Sequence, residues 1–153
     1  MTRFRTLFVC SLLLVATTSL LAADAPKAPS LYTRLGGYDA IAAVSDDFIA
    51  RLAADKQLSR FVVGHSQDSL MKLRQHVVEF LCNATGGPCV YMGRDMKTAH
   101  KGMGITESDW DLSVKALVAT LDKFKVPEKE KGEVLAAFAA HKNEVTEGSK
   151  AVA

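Results

Sequence analysis

Histidines are the side chains of this sequence with the widest chemical range, and the four of them have different surroundings. His65 lies between Val62-Val63-Gly64 and Ser66-Gln67-Asp68, which is typical of a solvated loop. His76 and His141 lie on apolar stripes of helical period, and His100 lies in a glycine-rich stretch. A histidine on an apolar face is more often a satisfied core residue than a ligand. Because His76, His100 and His141 all occur in one short chain, a ligand role for at least one of them is favoured more than for a single histidine.

Common metal and nucleophile motifs do not account for these histidines. The sequence has no His-Glu-x-x-His, no Cys-x-x-Cys, no Cys-x-x-Cys-His and no Gly-x-Ser-x-Gly. A zinc site normally needs three or four nitrogen, sulfur or carboxylate ligands close together. Haem iron needs only one protein ligand and an apolar slot. One well-placed histidine in an otherwise hydrophobic helical protein therefore fits a haem site.

Segments of helical period must position these residues. The apolar stripes are Ile41, Val44, Phe48 and Leu52; Leu70, Leu73, Val77, Phe80 and Leu81; Trp110, Val114, Leu117, Leu121 and Phe124; and Val134, Leu135, Phe138 and Val145. They predict one helix over 38–53 with Asp46, Asp47 and Arg51 facing water, and a second over 69–85. No segment alternates with period two for long enough to demand a strand, so the predicted fold class is all-α.

Helix boundaries are also visible in the sequence. Gly86-Gly87-Pro88 is a strong stop signal for the second helix. Thr106-Glu107-Ser108-Asp109 has the form of a capping box that opens the third helix. Pro127, followed by two glutamates in the first turn, opens the fourth.

The stretch from Gly87 to Thr106 is unusual. It contains Gly93, Gly102 and Gly104, and its pattern permits at most one short helix, over 96–101. A compact domain seldom keeps such a long irregular connection without a use for it. Because His100 lies here, this stretch is the first indication of a functional site.

The N-terminus predicts export. Met1-Thr2-Arg3-Phe4-Arg5 precedes an apolar run over 7–23 that ends in small residues, which is the layout of a signal peptide over about 1–25. An uncleaved membrane anchor is the alternative. With cleavage we expect a periplasmic or secreted protein without a stable membrane span. The rest, roughly 125 residues, is enough for one domain.

Charge and cysteines narrow the partners and the compartment. The formal net charge of +2 falls close to zero without the arginines of the leader, and no basic face is interleaved with aromatics, so nucleic acid is excluded as a partner. Cys82 and Cys89 flank Gly86-Gly87-Pro88. An oxidising compartment would allow them to pair. Two free thiols remain the alternative, because helical geometry can point Cys82 away from the loop.

Several motifs together resemble group I truncated haemoglobins, the short two-over-two helical globins. They are Leu31-Tyr32-Thr33-Arg34-Leu35-Gly36-Gly37, Asp46-Asp47-Phe48, Gly86-Gly87-Pro88, Tyr91-Met92-Gly93-Arg94, Met96-Lys97-Thr98-Ala99-His100 and Gly104-Ile105-Thr106. The resemblance covers 31–145. It implies a truncated globin domain over 31–147, a two-over-two helical sandwich around haem b, with His100 as the proximal iron ligand.

The resemblance also implies which residues surround the haem. They are Phe48, Ile49, Phe61, Leu73, His76, Val77, Phe80, Met96, His100 and His141. Many relatives carry a tyrosine and a glutamine where this chain has Ile49 and Val77, and Leu73 is apolar as well. Only His76 can donate a hydrogen bond from that side. Losing hydrogen bonds worth about 0.5–1.5 kcal/mol each changes ligand residence without abolishing haem binding.

Two histidines have further roles in some relatives. His76 matches a position that binds the iron in some cyanobacterial and algal members, which predicts a six-coordinate resting iron held by His100 and His76. A five-coordinate iron, with His76 swung outward or donating a hydrogen bond, is the alternative. His141 matches a histidine that attaches covalently to a haem vinyl group, and a core or partly exposed histidine is the alternative there.

The leading functional interpretation is a haem protein for oxygen binding and transport, or for binding nitric oxide or carbon monoxide. A bis-histidine protein for electron transfer, or for redox chemistry such as nitric-oxide dioxygenation or weak peroxidase turnover, is the second. Both need a reductant that the sequence does not name. A cofactor-free helical bundle that acts through protein contacts is the third.

Overall fold

A computed structural model of the chain describes residues 28–147. The helices are α1 (Leu31–Arg34), α2 (Gly37–Ala54), α3 (Gln67–Ala84), α4 (Met96–His100), α5 (Glu107–Lys123), α6 (Glu128–Ala139) and α7 (Lys142–Val145), with a 3-10 turn at Leu58–Phe61. This range contains no strand, which confirms the all-α prediction. The predicted signal peptide lies outside the described residues. Within 28–147, no helix combines the length and the apolar character needed to cross a membrane.

Polar side chains cap the helices that carry the site. Ser66 accepts the backbone N–H of Ser69 at the start of α3. At the start of α5 the predicted capping box is confirmed, with Thr106 and Asp109 each accepting the backbone N–H of the other. These bonds satisfy donors that the first turn of a helix leaves free.

The turn after α3 is closed by a disulfide. Cys82 and Cys89 are bonded, with their Cα atoms 5.8 Å apart, so the pairing that the sequence left open is present. Gly86 has a φ of +78°, and a Cβ at Gly87 would lie only 2.7 Å from Cys82 Sγ. Glycine is therefore required at both positions for the chain to turn and approach α3 this closely.

The main core joins α2, α5 and α6. Its buried members are Val44, Phe48, Leu117, Leu121 and Val134. On the outer side of this core, Asp47 accepts hydrogen bonds from Thr120 (2.9 Å), Arg51 (2.7 Å) and Lys123. The prediction that Asp47 faces water is wrong, because a second helix with complementary donors packs beside it.

Two helix ends differ from the sequence pattern. The fourth predicted stripe ran to Val145, but α6 ends at Ala139, and His141 lies between α6 and α7. Phe124, predicted to be buried, is 40% exposed because it caps the end of α5, where the chain turns through Lys125 at a φ of +53°.

The segment after α7 returns to the loop that follows α4. The N–H of Glu147 donates to the carbonyl of Ile105 at 3.0 Å. The carboxylate of Glu147 accepts the N–H of Gly102. These contacts tie residue 147 to the stretch that carries His100.

Candidate functional site

A cavity of about 630 Å³ lies between α3 on one side and α4, α5 and the segment over 138–145 on the other. Its volume falls within the range of about 300–1,000 Å³ that is usual for ligand pockets. Nine of the ten predicted site residues line it: Phe48, Phe61, Leu73, His76, Val77, Phe80, Met96, His100 and His141. Ile49 does not line it. Ile49 is half-buried on another face of α2, since neighbouring helix residues do not face the same way.

Aromatic rings form the side of the cavity that adjoins the core. Phe138 stacks on Trp110 with ring centroids 4.7 Å apart and meets the edge of Phe48 at 6.0 Å. Such pairs fix ring positions beyond what burial alone provides. The sequence assigned Trp110 and Phe138 to the core and not to the site, because a helical stripe marks an inward face without saying what it faces.

Asp109 joins this aromatic side to the 3-10 turn. Its side chain is 1% exposed and accepts hydrogen bonds from Gln57 at 2.7 Å and from Arg60 at 2.7 Å. Burial acts to raise the pKa of Asp109, but hydrogen bonds from Thr106 and Gln57 and the charge of Arg60 bring that pKa below its usual value. Asp109 is therefore a carboxylate that holds the start of α5 against the 3-10 turn beside the cavity.

His100 is the last residue of α4 and is half-buried at the cavity. Its Nδ1 lies 2.7 Å from the carbonyl oxygen of Met96, one turn earlier. A carbonyl can only accept, so Nδ1 carries a proton, and in the neutral imidazole Nε2 then keeps its lone pair. This is the arrangement in which an imidazole binds a metal, with its other nitrogen held by a hydrogen bond.

His76 lies on α3, and its side chain is 46% exposed. Its ring meets the edge of Tyr91 at 6.1 Å, and its Nδ1 lies 3.9 Å from Oε2 of Glu79. The other carboxylate oxygen of Glu79 accepts a hydrogen bond from Gln75 at 2.8 Å. Leu73 and Val77, from the same helix, are the apolar neighbours of His76 at the cavity.

Tyr91 and Arg94 also line the cavity, although the sequence pattern predicts no role for either residue in the site. The hydroxyl of Tyr91 donates to the carbonyl of Arg94 at 2.7 Å, and burial raises the pKa of that hydroxyl. A Cβ at Gly93 would lie 2.3 Å from the same hydroxyl oxygen. The sequence signal that could have identified these two residues is a tyrosine and an arginine around a glycine in an unusually long loop.

The remaining two histidines lie at the edges of the cavity. His65 is exposed, as the loop pattern predicts, and it also lines the cavity. The ring of His141 lies 5.2 Å from Phe80, and its Nδ1 lies 2.9 Å from the carboxylate of Glu144.

The donor set of the cavity fits a cofactor that brings its own metal. Among residues 28–147, no three or more His, Cys, Asp or Glu side chains are grouped to hold a bare ion. The cavity instead combines separate imidazoles from α3, from α4 and from the turn before α7 with an apolar lining. Haem needs one such imidazole and an apolar slot, so the residues fit it.

Comparisons with known proteins agree with this description. The sequence profile of the family described as bacterial-like globin matches residues 30–147. The group 1 truncated haemoglobin GlbN of Mycolicibacterium paratuberculosis is 37% identical over 119 residues, covering 78% of this chain and 85% of the relative. GlbN of Synechocystis is 34% identical over 122 residues, covering 76% of this chain and 96% of the relative.

Solved structures show the same architecture. The truncated haemoglobin of Tetrahymena pyriformis in its Fe(III) form has a TM-score of 0.71 at 25% identity, covering 77% of this chain and 98% of that one. The 2/2 haemoglobin of Synechococcus sp. PCC 7002, with covalently attached haem, has a TM-score of 0.70 at 31% identity. That match covers 76% of this chain and 98% of the other.

Proposed function

This chain belongs to the group 1 truncated haemoglobin family, and on that premise we propose that it binds haem b in the 630 Å³ cavity and reversibly binds oxygen or another diatomic gas there. The observation that carries the proposal is the state of His100. Its Nδ1 is held by the carbonyl of Met96, which leaves Nε2 as a ready iron ligand at the cavity.

Haem supplies an iron centre that can bind a diatomic gas and exchange one electron. The chain's own residues would hold it through the apolar lining of the cavity. Phe48, Trp110 and Phe138 present a fixed aromatic surface. Leu73 and Val77 line the cavity from α3 and offer no hydrogen bond. A gas bound on that side therefore has few protein donors, which favours faster release than in relatives with a tyrosine and a glutamine there.

A second candidate function follows from the two imidazoles that line the cavity from α3 and α4. We propose that in the resting state His76 would bind the iron together with His100, as a second protein ligand. Such an iron suits electron transfer and redox chemistry with nitric oxide or peroxide, supported by an as yet unidentified reductant. Slow association of carbon monoxide, limited by release of His76, would favour this function over gas binding.

His141 is proposed as a site of covalent attachment to a haem vinyl group. Its position at the cavity, its contact with Phe80 and the covalently attached haem of the Synechococcus relative support this. Addition joins one imidazole nitrogen to a vinyl carbon and moves one proton to the neighbouring carbon. Haem should then resist extraction into acidified ketone from reduced protein and extract fully from H141A. Full extraction from the unaltered protein contradicts the attachment.

Export is proposed from the leader sequence together with the Cys82–Cys89 disulfide, which suits an oxidising compartment. The intact mass of the protein recovered from the periplasm or medium should correspond to cleavage near residue 25. A full-length mass in the cytoplasm contradicts export.

The proposed haem site is tested through His100. His100→Gly should lose nearly all haem during purification, and free imidazole should restore both pigment and spectrum, because it replaces the missing ligand in the vacated space. His65→Ala is the matched control, since His65 lies exposed at the cavity edge. An unchanged haem content and iron spectrum in His100→Gly contradicts the proposal.

A further inference from the structure

Glu79 carries a polar atom that the fold leaves without a partner. Its side chain is 19% exposed, and Oε1 accepts a hydrogen bond from Gln75. Its Oε2 is fully buried and makes no hydrogen bond to any residue in 28–147. A buried carboxylate oxygen without a partner is costly, so such an atom calls for a physical explanation.

A donor lies close to this oxygen. Nδ1 of His76 is 3.9 Å from Oε2 of Glu79, one turn away on α3. A hydrogen bond between nitrogen and oxygen forms at about 2.7–3.2 Å, so a ring movement of roughly 1 Å is enough to make one. The centroid of the Tyr91 ring lies 6.1 Å from that of His76, so Tyr91 is an aromatic neighbour of this ring.

The consequence of that bond is chemical. A neutral imidazole carries one N–H, on either Nδ1 or Nε2. An ionised carboxylate only accepts, so pairing with Glu79 keeps the proton of His76 on Nδ1. Nε2 then has a free lone pair, which can bind iron but cannot donate a hydrogen bond to a gas molecule.

We propose that Glu79 is a positioning residue that holds His76 in its Nδ1–H form and thereby makes His76 an iron ligand instead of a hydrogen-bond donor to gas. This inference rests on the proposed haem site and deepens it. The same device operates at His100, where the carbonyl of Met96 holds Nδ1. The acceptor at His76 is a carboxylate, and a carboxylate partner strengthens imidazole as a ligand.

The test uses the haem-loaded protein and three variants of α3. Glu79→Leu removes the acceptor, and Glu79→Gln keeps the shape of the side chain while weakening the preference for Nδ1–H. Asp68→Asn is the matched control, because Asp68 is an exposed acid on the same helix that pairs with Lys72. The readouts are the low-spin six-coordinate fraction in the absorption spectrum and the rate of carbon monoxide association.

The expected result separates the variants clearly. The unaltered protein and Asp68→Asn should be six-coordinate, whereas Glu79→Leu should lose most of the low-spin fraction and Glu79→Gln should lose part of it. Carbon monoxide should associate roughly 10-fold to 100-fold faster with Glu79→Leu, matching the loss of metal affinity that is usual when the partner of a ligating histidine is removed. In haem-free protein, nitrogen NMR should show His76 as Nδ1–H, and as mixed tautomers in Glu79→Gln.

His76→Leu distinguishes the two ways in which the idea can fail. If His76→Leu leaves the spectrum unchanged, His76 is not a ligand, and both the six-coordinate resting iron and the role of Glu79 are overturned. If His76→Leu becomes five-coordinate while Glu79→Leu and Glu79→Gln keep the unaltered spectrum and tautomer, only the role of Glu79 is overturned. The His100 variants report separately on whether haem binds at all.

Discussion

Apolar residues that lie on the two sides of α5 are buried to different degrees. Toward α2 and α6, Leu121 is 1% exposed and Val134 is 4% exposed, and the chain fills this space with its own side chains. Toward α3 and α4, Leu73 and Val77 are only half-buried around a cavity of about 630 Å³. Both sides show the same helical period in sequence. The difference teaches that one apolar stripe finds its complement within the chain, whereas the other needs a cofactor to complete its burial.

The largest expected effect comes from comparing substitutions of two leucines, one on each side. In haem-free protein, Leu121→Ala should lower the free energy of unfolding by about 2–5 kcal/mol, because it opens a hole in a filled core. Leu73→Ala should cost less than about 1 kcal/mol, because its side chain already borders empty space. Urea denaturation measures both. Equal losses would show that the two sides are packed alike and would break the comparison.

Repeating the measurement with haem-loaded protein tests the same two substitutions further. The cost of Leu73→Ala should rise once haem is bound, since the side chain then has a surface to pack against. The cost of Leu121→Ala should stay nearly constant. An unchanged cost for Leu73→Ala in loaded protein would mean that haem does not contact this side of α3.

The disulfide gives an effect of intermediate size. Replacing both Cys82 and Cys89 with serine should lower the free energy of unfolding by about 2.5 kcal/mol, the loop-entropy value for a closed loop of this length. Hydrogen exchange should accelerate over 85–95, which includes the cavity residues Tyr91 and Arg94, and remain slow in α5. Chemical reduction of the unaltered protein is the control and should give the same pattern. Uniform acceleration across the molecule would count against a local role.

Acid should produce the smallest effect, confined to the filled side. Hydrogen bonds from Lys123 and then Arg51 lower the pKa of Asp47 to about 2, below the ordinary 3.8. A carboxyl with a lowered pKa in the folded state contributes stability above its unfolded pKa, and the contribution is lost as pH falls from about 4 to about 2. Asp47→Asn should therefore flatten the pH dependence of the unfolding free energy in that window, whereas Asp68→Asn should not. Equal slopes in Asp47→Asn and the unaltered protein would contradict this role.

The sequence predicts the regular parts of the molecule and most of the site. Helical period locates α2, α3, α5 and α6, and the capping box fixes the start of α5. The resemblance correctly predicts nine cavity residues. It does not predict that the side chain of Ile49 lies outside the cavity. Tyr91 and Arg94 are brought to the cavity by a disulfide and a close turn at glycine, which leave no periodic signal.

Other features could not be predicted because they depend on partners distant in sequence. Asp47 resembles a solvent-facing acid until Lys123 and Thr120 of α5 lie beside it. Glu79 resembles one as well, yet one of its oxygens is buried. The helix break at His141 is not marked by a glycine or proline in the sequence. The helical period of apolar residues indicates which residues face inward. Only the assembled structure shows what those residues contact.

The bonds from Glu147 to Ile105 and Gly102 set an order of events. Translation proceeds from the N-terminus, so the helices that surround the cavity all emerge from the ribosome before the residue that ties down the stretch after His100. A nascent chain that lacks residue 147 presents His100, the proposed iron ligand, on an untethered connection. On the proposed function, His100 would be held in place for haem only after residue 147 has folded back onto this stretch.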